Sequence, residues 1–208
     1  MAELNRKNSR TSAVALKTEG NPEGKGLNGL LDDWRRSAPR GVVAKPPRQL
    51  LAEFFTSMLV LSANFKYQPV LGIPNYLYWV KDEWLLSLIA PEEWSQERSA
   101  SFAGTCVLQR DRTWTIRPSE LLAGENAVSD AVARFYEAFA RFMDTDLTLE
   151  EVLPFHVGKL PYYQRLNANA LGRSIRHSMI LGEQTAIGCR DWRRQLPQLD
   201  RLLPSQAD

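Results

Sequence analysis

The chain has 208 residues, 44% hydrophobic, 10% aromatic and 24% charged, enough to bury one sizeable core and too apolar for a wholly disordered or fibrous protein. Its longest apolar run, Leu50 to Ala63, is broken by Glu53, Thr56 and Ser57 and falls short of the ~20 apolar residues a membrane span needs, so no membrane association is expected. The net charge of +2 hides an uneven distribution: residues 1–50 carry 10 Lys and Arg against 5 Asp and Glu, residues 51–154 carry 8 against 15, and residues 155–208 carry 8 against 4. Basic ends flanking an acidic middle can bind an anionic partner or pair with that middle.

Residues 1–26 are polar, with only scattered Leu4, Val14 and Leu16, and read as a flexible tail. They hold no apolar block before a small-residue cleavage site, so a signal peptide is not expected; their Arg, Lys and Ser content leaves an organelle presequence as the alternative to the cytoplasm. Leu27, Leu30, Leu31 and Trp34 fall at helical spacing and predict a helix over 27–36, followed by a Pro- and Gly-containing linker over 37–47. Pro46 and Pro47 suit a helix start, and Leu50, Leu51, Phe54, Phe55, Met58 and Leu59 continue the helical period to about Ala63.

The period then changes. Tyr76–Val80 and Trp84–Ala90 flank Lys81, Asp82 and Glu83, and Phe102–Gln109 and Thr113–Ile116 flank Arg110, Asp111 and Arg112. Both patterns are those of a hairpin, and four short strands predict one antiparallel sheet. Alternation puts Tyr76 and Tyr78 on one face, Leu77 and Trp79 on the other, so both faces should be covered, one of them by the preceding helix. Beyond Pro118 helices return: one with Ser129 as N-cap and a stripe of Val132, Phe135, Tyr136, Phe139, Phe142 and Met143, ending near Asp144. A short one follows with the capping-box pair Thr148 and Glu151, stopped by Pro154, then a helix over 161–181 interrupted in pattern by Gly172. A last helix over about 190–203 has to accommodate Pro197, so two short pieces are the alternative.

Within this middle region, Gly72 precedes the Tyr76-Leu77-Tyr78 strand, a block Ser87-Leu88-Ile89-Ala90-Pro91-Glu92-Glu93-Trp94 follows, and Leu108-Gln109 stands before Asp111, Thr113 and Trp114. Over residues 65–116, about a quarter of the chain, this pattern resembles a domain-of-unknown-function family of small bacterial proteins that also includes the human chromosome one open reading frame fifty protein. The resemblance implies a shared small sheet and carries no chemistry and no catalytic residue.

Read for chemistry, the residues give no catalytic, cofactor or metal constellation. Glu92 and Glu93 are adjacent, so their side chains diverge, whereas acid/base pairs converge on one substrate. The structural reading is a helical turn begun by Pro91, with the acidic pair at its N-terminus and Trp94 folded back on the sheet. His156 and His177 lack the spacing of a helical metal pair and stand in no nucleophile motif. Cys106 reads as a buried strand residue and Cys189 as a loop residue; two cysteines without CxxC spacing fit a reducing compartment. The NPEGKG stretch at 21–26 lacks phosphate-loop spacing and follows no strand.

Two groups of residues could meet a partner. Tyr76, Tyr78, Trp79, Trp84 and Trp114 could present stacking surfaces or hot spots, although in a small sheet such aromatics commonly form the core. Arg173, Arg176 and His177, then Arg190, Arg193 and Arg194 around Trp192, form a basic cluster suited to phosphate or carboxylate, or to pairing with the acidic segment 144–151. The expectation is therefore an α+β protein with a four-stranded antiparallel sheet over about 76–116 and a helical C-terminal region. It reads as a cytoplasmic, non-catalytic interaction module without cofactor, whose partner is another protein or a second copy. RNA or DNA binding by the basic C-terminal region is the alternative, and an enzyme with a site assembled from distant residues the third reading.

Overall fold

The computed structural model describes residues 27–153 and 160–199; the tail at 1–26, His156 and the end of the anticipated last helix lie outside them. Helix α1 (Leu27–Arg36) leads through the linker into α2 (Pro47–Leu61), which begins immediately after Pro46 with a second proline at its first position. Strands β1 (Pro74–Val80) and β2 (Glu83–Ser87) form the first hairpin. After a 3₁₀ turn at Pro91–Glu93 and the one-turn α3 (Gln96–Ser99), strands β3 (Phe102–Leu108) and β4 (Trp114–Pro118) form the second. Helices α4 (Ala127–Phe142), α5 (Leu149–Val152), α6 (Tyr162–Leu181) and α7 (Cys189–Arg194) complete the described chain.

All strand pairs are antiparallel, in the order β2-β1-β3-β4, so the fold is α+β with one four-stranded sheet, as the sequence predicts. Leu77, Trp84, Leu86, Cys106, Leu108, Trp114 and Ile116 join the core, together with Leu51, Phe54, Phe55 and Leu59 of α2 and Val132 and Phe139 of α4. Phe55 meets Phe135, Tyr136 and Phe139 edge to face, with centroids 5.4 to 6.0 Å apart, the preferred geometry for aromatic quadrupoles. On the opposite face Tyr78 packs against Phe102 and Trp94, and its hydroxyl donates to the carbonyl of Ile89 at 2.8 Å. That bond draws the chain out of β2, which ends at Ser87 and not at Ala90 as the apolar run suggests.

The β2 edge is paired over one residue, which blunts its tendency to pair with another chain, and the β4 edge is met at its first residue. Beside β2, Asn64 donates its N–H to Trp84 and accepts from Leu86. At the other edge the hydroxyl of Ser57, a polar interruption of the α2 run, accepts the N–H of Trp114 at 2.8 Å. Gly104 sits where β3 and β4 approach closely: a Cβ there would stand 2.6 Å from the carbonyl oxygen of Arg117.

Several boundaries differ from expectation for local reasons. The N-cap of α4 is Asn126, whose Oδ1 accepts from the N–H groups of Val128 and Ser129; Ser129 is the third residue of the same capping box. Thr148 and Glu151 form the anticipated box at α5. Helix α6 runs unbroken through Gly172, and α7 ends at Arg194, three residues short of Pro197. Cys189 is no loop residue: it starts α7 and is buried. In α1, Leu31 and Trp34 of the apolar stripe are each 43% exposed, while Asp33 is buried and accepts from the Tyr162 hydroxyl at 2.8 Å.

Candidate functional site

The first hairpin builds an open cleft. Its turn is the two-residue Lys81-Asp82, both with positive φ (52° and 60°), the backbone a tight hairpin needs and one that glycine and asparagine usually supply. Glu83 belongs to β2, opposite Val80, so Trp79 and Trp84 are cross-strand partners. Their rings meet at 4.9 Å with an interplanar angle of 59°. Trp84 is buried and Trp79 half-buried. One turn of α4 supplies Ala131, Arg134 and Phe135, and Ser62 and Asn64 supply the end of α2 and the segment after it.

Together with Asp82 and Glu83 these residues surround a volume of about 500 Å³ open to solvent. The guanidinium carbon of Arg134 lies 5.6 Å from the Trp79 ring centroid, within cation–π range. Asn64 Nδ2 donates to Glu83 Oε2 at 2.9 Å and fixes that carboxylate on the rim. The cleft therefore offers indole faces, two carboxylates, one guanidinium and one amide. Among the described residues its lining includes no histidine or cysteine.

The other anticipated aromatics lie elsewhere. Tyr76 and Tyr78 are on the opposite sheet face; Tyr78 is buried, and its phenol is pushed up to about 12, first by burial and then by Glu92 and its neighbours. Pro91–Glu93 is the anticipated turn, with the Ala90 N–H donating to Glu93 Oε1 at 3.1 Å and Trp94 against Tyr78. Trp114 is part of the core.

The basic cluster does not form one surface. Arg173 stacks over Trp34 at 5.2 Å, while Arg176 Nη2 donates to the carbonyls of Glu150 and Leu153 at the end of α5. His177 is exposed, and Trp192 is wholly buried, so it presents nothing to a partner. Arg190 pairs with Asp144 and Asp146, Arg193 with Asp144 at 2.9 Å, and Arg194 with Asp191 at 2.8 Å. The hydrogen bond from Arg190 and the charge of Arg193 hold the Asp144 carboxyl below the usual range.

Sequence reading missed a buried ion cluster. Lys45, 8% exposed, bonds through Nζ to Glu53 Oε2 and, at 2.5 Å, to Asp111 Oδ2. Asp111 Oδ1 accepts from the N–H and hydroxyl of Thr113, and the neighbouring Arg112 donates to the carbonyl of Arg36. Burial opposes the charge of Lys45, but the bonds to Asp111 and Glu53 outweigh it and its pKa is raised; burial likewise opposes the charge of Asp111, but Lys45 and the two hydrogen bonds from Thr113 lower its pKa. The available signal was Glu53, a charge inside an otherwise apolar helical run, which implies a buried counter-ion. Cys106 and Cys189 are both buried, and burial raises both thiols, Cys189 to about 11, so neither is a ready thiolate nucleophile.

Among the described residues no helix is long and apolar enough to cross a membrane, and no group of three His, Cys, Asp or Glu is placed to hold a metal ion. Compared with protein families, curated proteins and solved structures, the chain matches none of them.

Proposed function

We propose that this protein is a non-catalytic interaction module of the cytoplasm that receives a segment of another protein in the Trp79–Trp84 cleft. The observation that carries the reading is the paired indole rings beside an open volume of about 500 Å³, rimmed by Asp82, Glu83, Asn64 and Arg134. Aromatic anchors in a pocket with a polar rim are the usual source of binding energy between proteins. Two free, buried cysteines fit a reducing compartment. The resemblance of residues 65–116 to a domain-of-unknown-function family would make the hairpin bearing this cleft a shared element.

Charge favours a protein over a nucleic acid. Asp82 and Glu83 on the rim would repel phosphates, and the C-terminal arginines are engaged by Asp144, Asp146, Asp191, Trp34 and backbone carbonyls. The test is capture by the full-length chain from nuclease-treated extract of its own cells, beside Trp79→Ala and Glu83→Gln variants matched for folding by circular dichroism. A partner retained by the parent and lost by both variants is the expected result. A ligand removed by nuclease, or capture unaffected by either substitution, would reject the reading.

A further inference from the structure

We infer that the cleft is a receptor for a cationic side chain, a guanidinium or ammonium presented by the partner, and that Arg134 occupies that place in the free protein. The inference rests on the interaction reading and names the chemistry the site would select. Its first support is the chain's own guanidinium against Trp79: the surface that would receive an external cation already holds an internal one. Its second is charge. Asp82 and Glu83 line the cleft against the single cation of Arg134, and among the described residues Arg134 enters no ion pair.

Its third support is mobility without cost to the core. Arg134 is exposed at the cleft, so its side chain can swing into water while Ala131 and Phe135 keep the wall in place. Glu83 by contrast is pinned by Asn64, which leaves a fixed negative group for the incoming cation. The cleft would thus exchange one cation for another, and Arg134 would act as a built-in competitor that lowers affinity for weakly matched partners.

The test is a titration of the full-length chain with N-acetyl-arginine amide and its neutral isostere N-acetyl-citrulline amide, followed by the indole N–H resonances of Trp79 and Trp84. The expected result is movement of these resonances by the arginine compound and not by the citrulline one. Arg134→Ala should tighten the arginine compound about three- to fivefold, and Glu83→Gln should weaken it by a similar factor. Both substitutions are at exposed positions and leave the core intact. Equal response to citrulline, weaker binding after Arg134→Ala, or no response to the arginine compound would overturn the inference. If partner capture still depends on Trp79 while the arginine compound gives no response, the cation inference alone fails. If capture is indifferent to Trp79 and Glu83, the interaction reading fails with it.

Discussion

The two hairpins of the sheet place charge in opposite ways. The β1–β2 turn holds Lys81 and Asp82 in water, and Glu83 follows on the rim of an open cleft. The β3–β4 turn leaves Arg110 exposed but folds Asp111 and Arg112 inward: Asp111 grips Lys45 of the linker, Lys45 grips Glu53 of α2, and Arg112 reaches the end of α1. Similar turn compositions therefore produce a buried clasp in one case and the exposed rim of a cleft in the other, and the linker meets the second hairpin through Arg40 and Lys45. The chain's local backbone follows suit: the N–H of Arg40 donates to the carbonyl of Arg110 at 2.9 Å. Stability should be concentrated at the second hairpin and binding at the first.

The largest expected effect comes from opening the clasp. Lys45→Met leaves Glu53 and Asp111 facing each other without a counter-ion, and removal of one partner of a buried pair costs about 3 to 5 kcal/mol. Urea unfolding should read this loss, with the Glu53→Gln, Asp111→Asn, Lys45→Met combination recovering part of it. Next is Gly104→Ala, whose added carbon meets the Arg117 carbonyl and the Ile116 side chain; overpacking of this kind costs about 1 to 3 kcal/mol. Thermal unfolding should show it without any change in cleft binding.

The clasp also predicts a pH dependence. The Asp111 carboxyl is lowered in the folded state, so its contribution is fully present above the unfolded carboxylate pKa of 3.8 and is lost as pH falls through its lower folded value. Lys45 is raised, so its contribution is present below 10.5 and lost as pH climbs through its higher folded value. Denaturation midpoints measured across pH should fall at both ends, and Asp111→Asn should flatten the acid limb. An unchanged acid limb in that variant would break the assignment.

The smallest effect sharpens the contrast from the other side. Asp82→Gly relieves a left-handed backbone at the first turn and should raise stability by up to about 1 kcal/mol, while removing one carboxylate from the cleft. A variant that is more stable yet binds the cationic probe less well is the expected outcome, read by calorimetry and titration together. Lower stability would mean that the Asp82 side chain supports the turn.

Much of this architecture was legible in the sequence. The two hairpins announce themselves as charged triplets between aromatic and aliphatic runs, and the major helices follow from apolar spacing. Contacts made between distant segments were not legible. Lys45 and Asp111 are 66 positions apart, and Arg134 reaches Trp79 only because of the way α4 lies against β1, which no local pattern encodes. Trp192 misleads because its neighbours are arginines; it lies on α7 three residues after Cys189, and both are buried. Of the aromatic candidates, Trp79 and Trp84 meet in the cleft, whereas alternation sends Tyr76 and Tyr78 to the other face.

The division of labour between the hairpins is tested most directly by measuring unfolding free energy and partner capture side by side for Glu83→Gln and Lys45→Met. The account predicts that Glu83→Gln unfolds close to the parent but captures less partner, and that Lys45→Met loses about 3 kcal/mol or more while its folded fraction captures normally. Full capture by Glu83→Gln, or loss of capture by folded Lys45→Met, would contradict it.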